Sequence, residues 1–343
     1  MEFTMKLHND IKLFRQSIDF TAQQMGILPI YVEKDYWVTY ALHLIFQDSI
    51  GTETVFKGGT ALSKCFGLIE RFSEDIDLVV LKQEGEGANQ LKNKLKKITN
   101  LVGTKLTEVN EEGITHKVGM LRKIAYSYPK TTTGKYGQVR ENIIVEATWL
   151  GRYEPFHKTT ISSYIFKMME STGQYQLAEQ HHLLPFEVQV LHVNRTICEK
   201  IMSLVRFSYG EHPITDLRNK IRHTYDLHQL LQVPEILEFF ESSKFEEMLL
   251  LVGEDDVASF KNNNQWLELH PKEAKIFRET EETWKELENT YTNEFGNLVY
   301  GALPNSEAVL DSLIGIRERM KNVKWDIIIP NLPKPADKDK GEG

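Results

Sequence analysis

The first half of the chain mixes helical and strand periods. Residues 31–46 carry apolar side chains at three- and four-residue spacing, which predicts a helix with one broad apolar face. The β-branched and aromatic run 54–56 predicts a strand, and Gly58-Gly59 predicts a tight turn after it. A short helix is expected over 61–66. The run 75–81 then predicts a strand that is buried on both faces along its apolar part.

Strand patterns end a little past the middle of the chain. A Lys-rich amphipathic segment follows residue 81, and β-rich stretches are predicted at 117–128, 141–150 and 186–193. From residue 194 the period is helical. We therefore predict an α+β fold class, with a mixed sheet and flanking helices followed by a mainly helical part. The predicted division is a first domain at 1–190, a helical domain at 191–330 and a disordered tail at 331–343.

Composition narrows the class of protein. The 343 residues are 41% apolar and 26% charged, which fits a globular chain and excludes disordered, collagen-like and coiled-coil classes. No apolar stretch approaches the roughly 18 residues of a membrane helix, and the first residues do not resemble a signal peptide. We expect a cytoplasmic protein with no membrane partner. Cys65 and Cys198 lie far apart, which argues against a disulfide framework or a zinc site.

Charge is distributed unevenly along the chain. The formal net charge is −8, yet residues 82–140 hold twelve Lys or Arg against five Asp or Glu. Residues 235–343 hold 23 acidic and 13 basic residues. A polyanion such as RNA would therefore meet the protein at 82–140. A basic face without function is the alternative there.

The residues with the clearest catalytic potential lie in two neighbouring segments. Alternate residues of a strand share a face, so Asp75 and Asp77 project the same way. Two carboxylates that close repel each other unless a cation lies between them, and Mg²⁺ combines one or two carboxylates with substrate phosphates. The turn at Gly58 and Gly59 would let backbone N–H groups approach phosphate. The glycine turn and the Asp-x-Asp strand are each a weak signal alone. Together, in the order strand, turn, helix and strand, they match the pattern of the DNA-polymerase-β-like nucleotidyltransferases.

These segments also match two other patterns in part. A DxD pair in a chain with 49 acidic residues is also compatible with a loop turn or a solvated strand edge. A P-loop is excluded, because the Lys64 that ends the glycine segment is preceded by Ser63 and followed by Cys65.

Four stretches, in the same order along the chain, resemble motifs of the AbiEii/AbiGii toxin family of nucleotidyltransferases. This family includes the MenT toxins, and its members occur in bacterial abortive-infection and toxin–antitoxin systems. The resemblance spans about residues 30–232. It implies a nucleotidyltransferase fold for the first domain. The stretches that carry it are Glu33-Lys34-Asp35-Tyr36-Trp37, the motif from Lys57 to Leu62 with Arg71-x-Ser73-x-Asp75-Ile76-Asp77-Leu78, Arg195-Thr196-x-x-Glu199-Lys200, and Arg222-His223-x-x-Asp226-Leu227.

The resemblance assigns roles to two later residues. On a helix from Asn194, Lys200 lies at the rim of the apolar face, where a lysine can simply extend to solvent; the family match favours a Lys200 that neutralises triphosphate charge. Asp226 follows Arg222 by four residues, so an ordinary helical ion pair would explain it. The resemblance instead implies a catalytic Asp226. Glu199 is expected to pair with Arg195.

A third carboxylate is expected to complete the metal site. Glu146 interrupts an apolar strand, where an unpaired charge would be costly. It could instead face outward from an edge strand. Because the family could rely on Asp226, the choice between Glu146 and Asp226 stays open. The predicted metal ligands are Asp75, Asp77 and Glu146, for Mg²⁺ with Mn²⁺ as the alternative.

The predicted nucleotide site surrounds the glycine turn. Ser73 would bond substrate, be modified, or serve as a simple cap or turn residue. Arg71 would bind phosphate, or pair with Glu70 or Glu74. The predicted NTP-binding residues are Lys57, Gly58, Gly59, Thr60, Arg71, Ser73 and Lys200.

These residues predict the transfer of NMP from an NTP to an acceptor hydroxyl. The family implies that the acceptor is the 3′ end of tRNA, and that a cognate antitoxin accompanies the toxin. Three rivals stay open: a nucleotidyltransferase acting on a protein or small molecule, an inactive nucleotide-binding module, and a metal nuclease.

Overall fold

A seven-stranded mixed sheet forms the centre of the first half of the chain. The computed structural model describes residues 4–73, 75–117, 119–134, 139–260 and 263–330. The order of strands across the sheet is β3-β4-β5-β2-β1-β7-β6. The strands are β1 (Thr54–Lys57), β2 (Asp75–Val80), β3 (Thr107–Val109), β4 (Leu121–Ser127), β5 (Ile143–Thr148), β6 (Phe156–Ile161) and β7 (Phe186–Leu191).

The centre of the sheet is formed by β2 between β1 and β5. The pairing of β2 with β1 is antiparallel and its pairing with β5 is parallel. Ile76 and Leu78 point into the main hydrophobic core, so the alternating Asp75 and Asp77 point to the opposite face. The two carboxylates therefore stand on a rigid central strand.

Helices cover the apolar face of the sheet and continue into the second half of the chain. The main core joins α1, α2, α4 and α5 to the sheet. The helices of the first half are α1 (Ile11–Met25), α2 (Pro29–Phe46), α3 (Gly58–Ala61), α4 (Ala88–Gly103), α5 (Tyr164–Ser171) and α6 (Tyr175–Gln180).

From Val193 onward the regular elements of the described chain are helical, and they surround a second core. They are α7 (Val193–Phe207), α8 (Pro213–Arg218), α9 (Ile221–Leu231), α10 (Pro234–Glu241), α11 (Ser243–Ser259), α12 (Lys275–Arg278), α13 (Thr280–Asn289) and α14 (Ser306–Met320). No helix in the described ranges is long and apolar enough to cross a membrane.

The segment just before β2 is shared between the two halves. The N–H of Phe72 donates to the carbonyl of Leu298 at 2.9 Å, and the N–H of Tyr300 donates to the carbonyl of Glu70 at 2.9 Å. The side chain of Phe72 lies in the second core. The chain that leads into Asp75 is thus held by residues from near the C-terminal end of the described structure.

The α+β prediction is confirmed by the mixed sheet and the helices that follow it. The helix expected over 31–46 is α2. The short helix expected over 61–66 begins earlier, with α3, and continues over Leu62–Phe66 as a π-helix. The domain division at 190 stays a prediction, and the tail predicted at 331–343 lies outside the described residues.

Helix α2 carries a buried polar sequence that supports a loop near Asp75. The carboxylate of Glu33 accepts backbone N–H bonds from Thr131 at 2.6 Å and from Thr132 at 3.0 Å. The ammonium of Lys34 donates to the carbonyl of Arg140. The first two residues of the Glu-Lys-Asp sequence therefore fix both ends of the segment 131–140, of which 135–138 lie outside the described residues.

The third residue, Asp35, forms a buried ion pair. Its carboxylate accepts a bond from the ammonium of Lys64 at 2.6 Å and another from the N–H of Tyr164 at 2.8 Å. Both charged side chains are only 4% exposed. Burial lowers the pKa of Lys64, so the carboxylate is what keeps this ammonium charged.

Replacing Asp35 with Ala is expected to destabilise the fold, because the Lys64 charge would stay buried without its partner. The expected loss is about 3–5 kcal/mol of the free energy of unfolding, measured by urea denaturation. Asp19→Ala, at an exposed position of α1, is the control and should change stability by less than about 0.5 kcal/mol. Equal stability of the two variants would contradict this account.

Candidate active site

The glycine turn after β1 is shaped around the carboxylate of Asp77. Gly58 has φ +82°, a left-handed conformation that residues with a side chain rarely adopt. A methyl group at Gly58 would overlap Oδ2 of Asp77. Glycine is thus required here twice, for its backbone conformation and for its lack of a side chain.

The second glycine makes room for a guanidinium group. A methyl group at Gly59 would lie 2.6 Å from Nη2 of Arg71 and 3.2 Å from Oγ of Ser73. The hydroxyl of Thr60 bonds Oγ of Ser73 at 2.9 Å and donates to the carbonyl of Asp75 at 2.5 Å. Thr60, predicted as an NTP-binding residue, thus links the turn to the start of β2, while Arg71 and Ser73 lie directly over the turn.

Three carboxylates stand close together on adjacent strands. Asp77 pairs with Lys57 of β1 on one side and with Glu146 of β5 on the other, and Asp75 lies two residues earlier on the same face. Burial, together with the negative charges of Glu146 and Asp75, raises the pKa of Asp77 to about 7. This mutual repulsion is the electrostatic signature of a site suited to a cation.

Basic side chains pair with two of these acids in the present arrangement. Lys123 of β4 binds Glu146 at 2.8 Å, and Arg140 lies 3.4 Å from Oδ1 of Asp75. Within the described ranges, no three His, Cys, Asp or Glu side chains are gathered closely enough to hold a metal ion. The strands place the three acids side by side, and two of them, Glu146 and Asp75, are paired with cations.

Asp226, predicted as a catalytic acid, is fully buried between two cations. Nε and Nη2 of Arg71 donate to its two oxygens at 2.7 and 2.8 Å, and Nζ of Lys200 donates to Oδ2 at 2.6 Å. Both positive charges hold the pKa of this carboxyl well below its usual value, against the opposing effect of burial. Asp226 therefore orients Arg71 and Lys200 and has little capacity left for a metal ion, which favours Glu146 as the third acid.

Lys57, predicted to bind NTP, is engaged with the helical half. Its ammonium donates to Glu199 at 3.0 Å, and Glu199 also accepts from Nε of Arg195 at 3.2 Å. The expected pairing of Glu199 with Arg195 is confirmed. Lys57 thus connects the strand that carries the turn to helix α7.

Three cations of this region were missed in the sequence analysis. Lys123 shares a face with Glu146, which the alternation of β4 would have indicated. The ammonium of Lys220 and the guanidinium of Arg206 each lie 4.7 Å from the centre of the Phe207 ring. No periodic signal marks these two, because they meet only when α7 packs beside the start of α9.

Lys220 lies within electrostatic reach of the acids. Burial lowers its pKa, as do the charges of Arg206 and Lys123, whereas Asp77 and Asp75 raise it. His223 lies beside it, with Nδ1 3.5 Å from Nζ of Lys200, and its pKa is lowered well below the usual value by burial and by the neighbouring lysines. The helical half thus presents several positive groups and a neutral histidine toward the glycine turn.

Comparison with known protein families identifies the family of this chain. The model of the nucleotidyl transferase AbiEii toxin family, of the type IV toxin–antitoxin systems, matches residues 43–312. The chain belongs to the AbiEii family. A search of curated proteins finds no match. The AbiEii match includes the glycine turn, the three strand carboxylates and Asp226, whereas Glu33 to Trp37 precede it.

Membership of the AbiEii family confirms the predicted enzyme class. The chain is a nucleotidyltransferase and a toxin of a toxin–antitoxin system, so it has a nucleotide substrate and an antitoxin counterpart. The predicted family resemblance is confirmed as well. The roles of individual site residues stay predictions.

Gly58→Ala is expected to lower nucleotidyl transfer by at least about 100-fold, because the new methyl group displaces Asp77 by an ångström or more. Gly67→Ala is the matched control, since Gly67 also has a positive φ (+63°) but no atom near the added methyl group. Backbone strain is common to both variants, so only displacement of Asp77 separates them. Equal activity of the two variants would show that the contact with Asp77 is unimportant.

Proposed function

We propose that this toxin is a Mg²⁺-dependent enzyme that transfers NMP from an NTP to the 3′ end of tRNA. The observation that carries the proposal is the set of three carboxylates, Asp75, Asp77 and Glu146, beside the Gly58-Gly59 turn. Carboxylate oxygens and substrate phosphates are the ligands that Mg²⁺ takes in such sites.

The residues present fit a divalent cation, with Mn²⁺ as the alternative. Asp77 carries a carboxyl whose ionisation is opposed by its neighbours, and a cation would relieve that repulsion. Asp75, Asp77 and Glu146 would hold it once Lys123 and Arg140 turn toward the incoming phosphates. When bound, the metal polarises the α-phosphate and offsets the charge of the departing pyrophosphate.

The triphosphate is proposed to lie between the glycine turn and the helical half. Arg71 lies against Gly59, and Asp226 fixes Arg71 and Lys200 as one buried unit. Lys220 adds a further positive charge nearby. Such preoriented cations stabilise phosphate charge without reorganising during the reaction.

The chemistry is an in-line displacement. An acceptor hydroxyl forms a new bond to the α-phosphorus, the bond from that phosphorus to the β-phosphate oxygen breaks, and pyrophosphate leaves. A strand carboxylate near the acceptor takes the hydroxyl proton. The product is the acceptor extended by one nucleotide.

A basic surface supports RNA as the acceptor. Lys92, Lys96, Lys117 and Arg122 line a depression of about 170 Å³ at the junction of α4 and β4, inside the basic stretch 82–140. Phosphate contacts of this kind weaken with salt. Lys135 of the same stretch lies outside the described residues. A cognate antitoxin is proposed to neutralise the toxin, by direct binding or by acting on its target.

The double variant Asp75→Ala/Asp77→Ala is expected to lose nucleotidyl transfer completely, because both central metal ligands are gone. Wild type and variant are incubated with Mg²⁺, each α-³²P-labelled NTP and total bacterial RNA, and the products are separated on a gel. Label on tRNA is expected with wild type alone and should vanish with EDTA. Asp19→Ala, exposed on α1, is the control and should retain full activity.

Other results of the same experiment would point to a different acceptor or a different reaction. Label on a protein would indicate a protein acceptor, and RNA shortening without NTP would indicate a nuclease. An unlabelled product set from folded wild type would contradict transfer to tRNA.

Lys220→Met is expected to weaken NTP binding by about 10- to 100-fold, because a partly buried cation facing the triphosphate is lost. Binding of the corresponding nucleoside, which has no phosphates, should not change. Both affinities are measured by calorimetry with the double variant Asp75→Ala/Asp77→Ala as background, so that catalysis does not interfere. Lys285→Met, at an exposed site on α13, is the control. Parallel losses of NTP and nucleoside affinity would argue against a phosphate contact.

A further inference from the structure

A cavity of about 310 Å³ opens beside Glu146, between the sheet and helices α7 and α11. Its volume suits a nucleobase with its ribose. Glu146 belongs to the proposed metal site, so the cavity adjoins the place where the α-phosphate would lie. The wall on the helical side is formed by Met202, Ser203, Arg206, Val252, Asp256, Ser259 and Phe260.

Two charged groups of this wall make no hydrogen bond with any described residue. Neither the carboxylate of Asp256 nor the guanidinium of Arg206 forms a hydrogen bond or an ion pair within 4 Å in the described ranges, although both side chains are partly buried. Neither belongs to the described side chains that hold a fully buried polar atom without a partner. Their polar atoms are therefore accessible from a cavity of the right size for a ligand.

Arg206 contacts two aromatic rings. Its guanidinium carbon lies 4.1 Å from the centre of the Phe260 ring and 4.7 Å from that of Phe207. Cation–π contacts of this kind restrict the position of the guanidinium without using its N–H donors. Arg206 is thus a preoriented donor next to an acceptor, Asp256.

We propose that this cavity selects the base of the incoming NTP, with Asp256 accepting a hydrogen bond from an exocyclic amino group and Arg206 donating to a neighbouring ring nitrogen or carbonyl oxygen. The inference rests on the proposed function, since it places the base of the same nucleotide. It names the preferred substrate class: NTPs whose base carries an amino group.

The chemistry of the two side chains favours bases that carry an amino group. An ionised carboxylate can only accept hydrogen bonds, and a guanidinium can only donate them. Cytosine, guanine and adenine each offer an amino donor near an acceptor. Uracil placed in the same orientation as cytosine would present its carbonyl oxygen to the carboxylate and its ring N–H to the guanidinium, so that neither bond would form. A site built to bond one group rejects the analogue that lacks it.

The charge state of Asp256 depends on pH. The burial of this carboxyl and the negative charges of Glu199 and Asp255 raise its pKa to about 7, although Arg206 and Lys57 oppose the shift. Asp256 is therefore the ionised, acceptor-only group that the assignment requires above about pH 7, and the affinities are compared there.

The test compares pairs of nucleotides that differ at the amino position. Affinities for CTP and UTP, and for GTP and ITP, are measured by calorimetry with the Asp75→Ala/Asp77→Ala background, which removes transfer but leaves the cavity. Within at least one pair, the nucleotide with the amino group should bind about tenfold more tightly or better. Asp256→Asn should reduce this ratio to less than about threefold, because an amide can donate to a carbonyl.

Glu247→Gln, on an exposed face of the same helix α11, is the matched control and should keep the wild-type ratio. Arg206→Gln should weaken the binding of both members of the preferred pair. Equal affinities within both pairs would overturn the inference, as would a preference that Asp256→Asn leaves unchanged. Failure of the wild-type protein to bind any NTP in the presence of Mg²⁺ would overturn the inference and the proposed function together, whereas base selection in the binding assay without transfer by the wild type would remove the proposed function alone.

Discussion

The active site depends on one buried interaction, in which Asp226 binds Arg71 and Lys200. Each member comes from a different part of the chain: the segment before β2, helix α7 and helix α9. Removing Asp226 would leave two buried cations without compensation, at a cost of about 3–5 kcal/mol. The two halves of the protein are therefore held in one relation by the same groups that would meet the substrate, so folding and preorganisation of the site are a single requirement.

The glycine turn also depends on the position of Arg71, because its two glycines leave space for neighbouring charged side chains. Gly58 leaves room for Asp77, and Gly59 leaves room for Arg71. One glycine of the turn thus contacts a sheet carboxylate, and the other contacts Arg71, which Asp226 ties to the helical half. The polar residues of α2 support the site indirectly. Glu33 and Lys34 bind the two ends of the segment that ends in Arg140, and Arg140 lies next to Asp75.

Sequence patterns could predict the features that depend on the geometry of a single strand. The alternation of β2 places Asp75 and Asp77 on one face, and the isolated charge in β5 marks Glu146, because both are consequences of strand geometry. The partner of Asp226 could not be predicted: Arg71 lies 155 positions away in sequence, and no periodicity encodes such a contact. Lys220, Arg206 and Asp256 were missed for the same reason, since only the packing of helices brings them to the sheet.

The backbone bonds between residues 70–72 and 298–300 also have a consequence for synthesis. During translation, β1 and β2 leave the ribosome long before Leu298 and Tyr300 exist. Until those residues emerge, the segment that carries Arg71 lacks its backbone partners, and the positioning of Arg71 is incomplete. A nascent or prematurely terminated chain is therefore poorly equipped for catalysis, so the cell that makes this toxin meets its full activity only once synthesis has passed Tyr300.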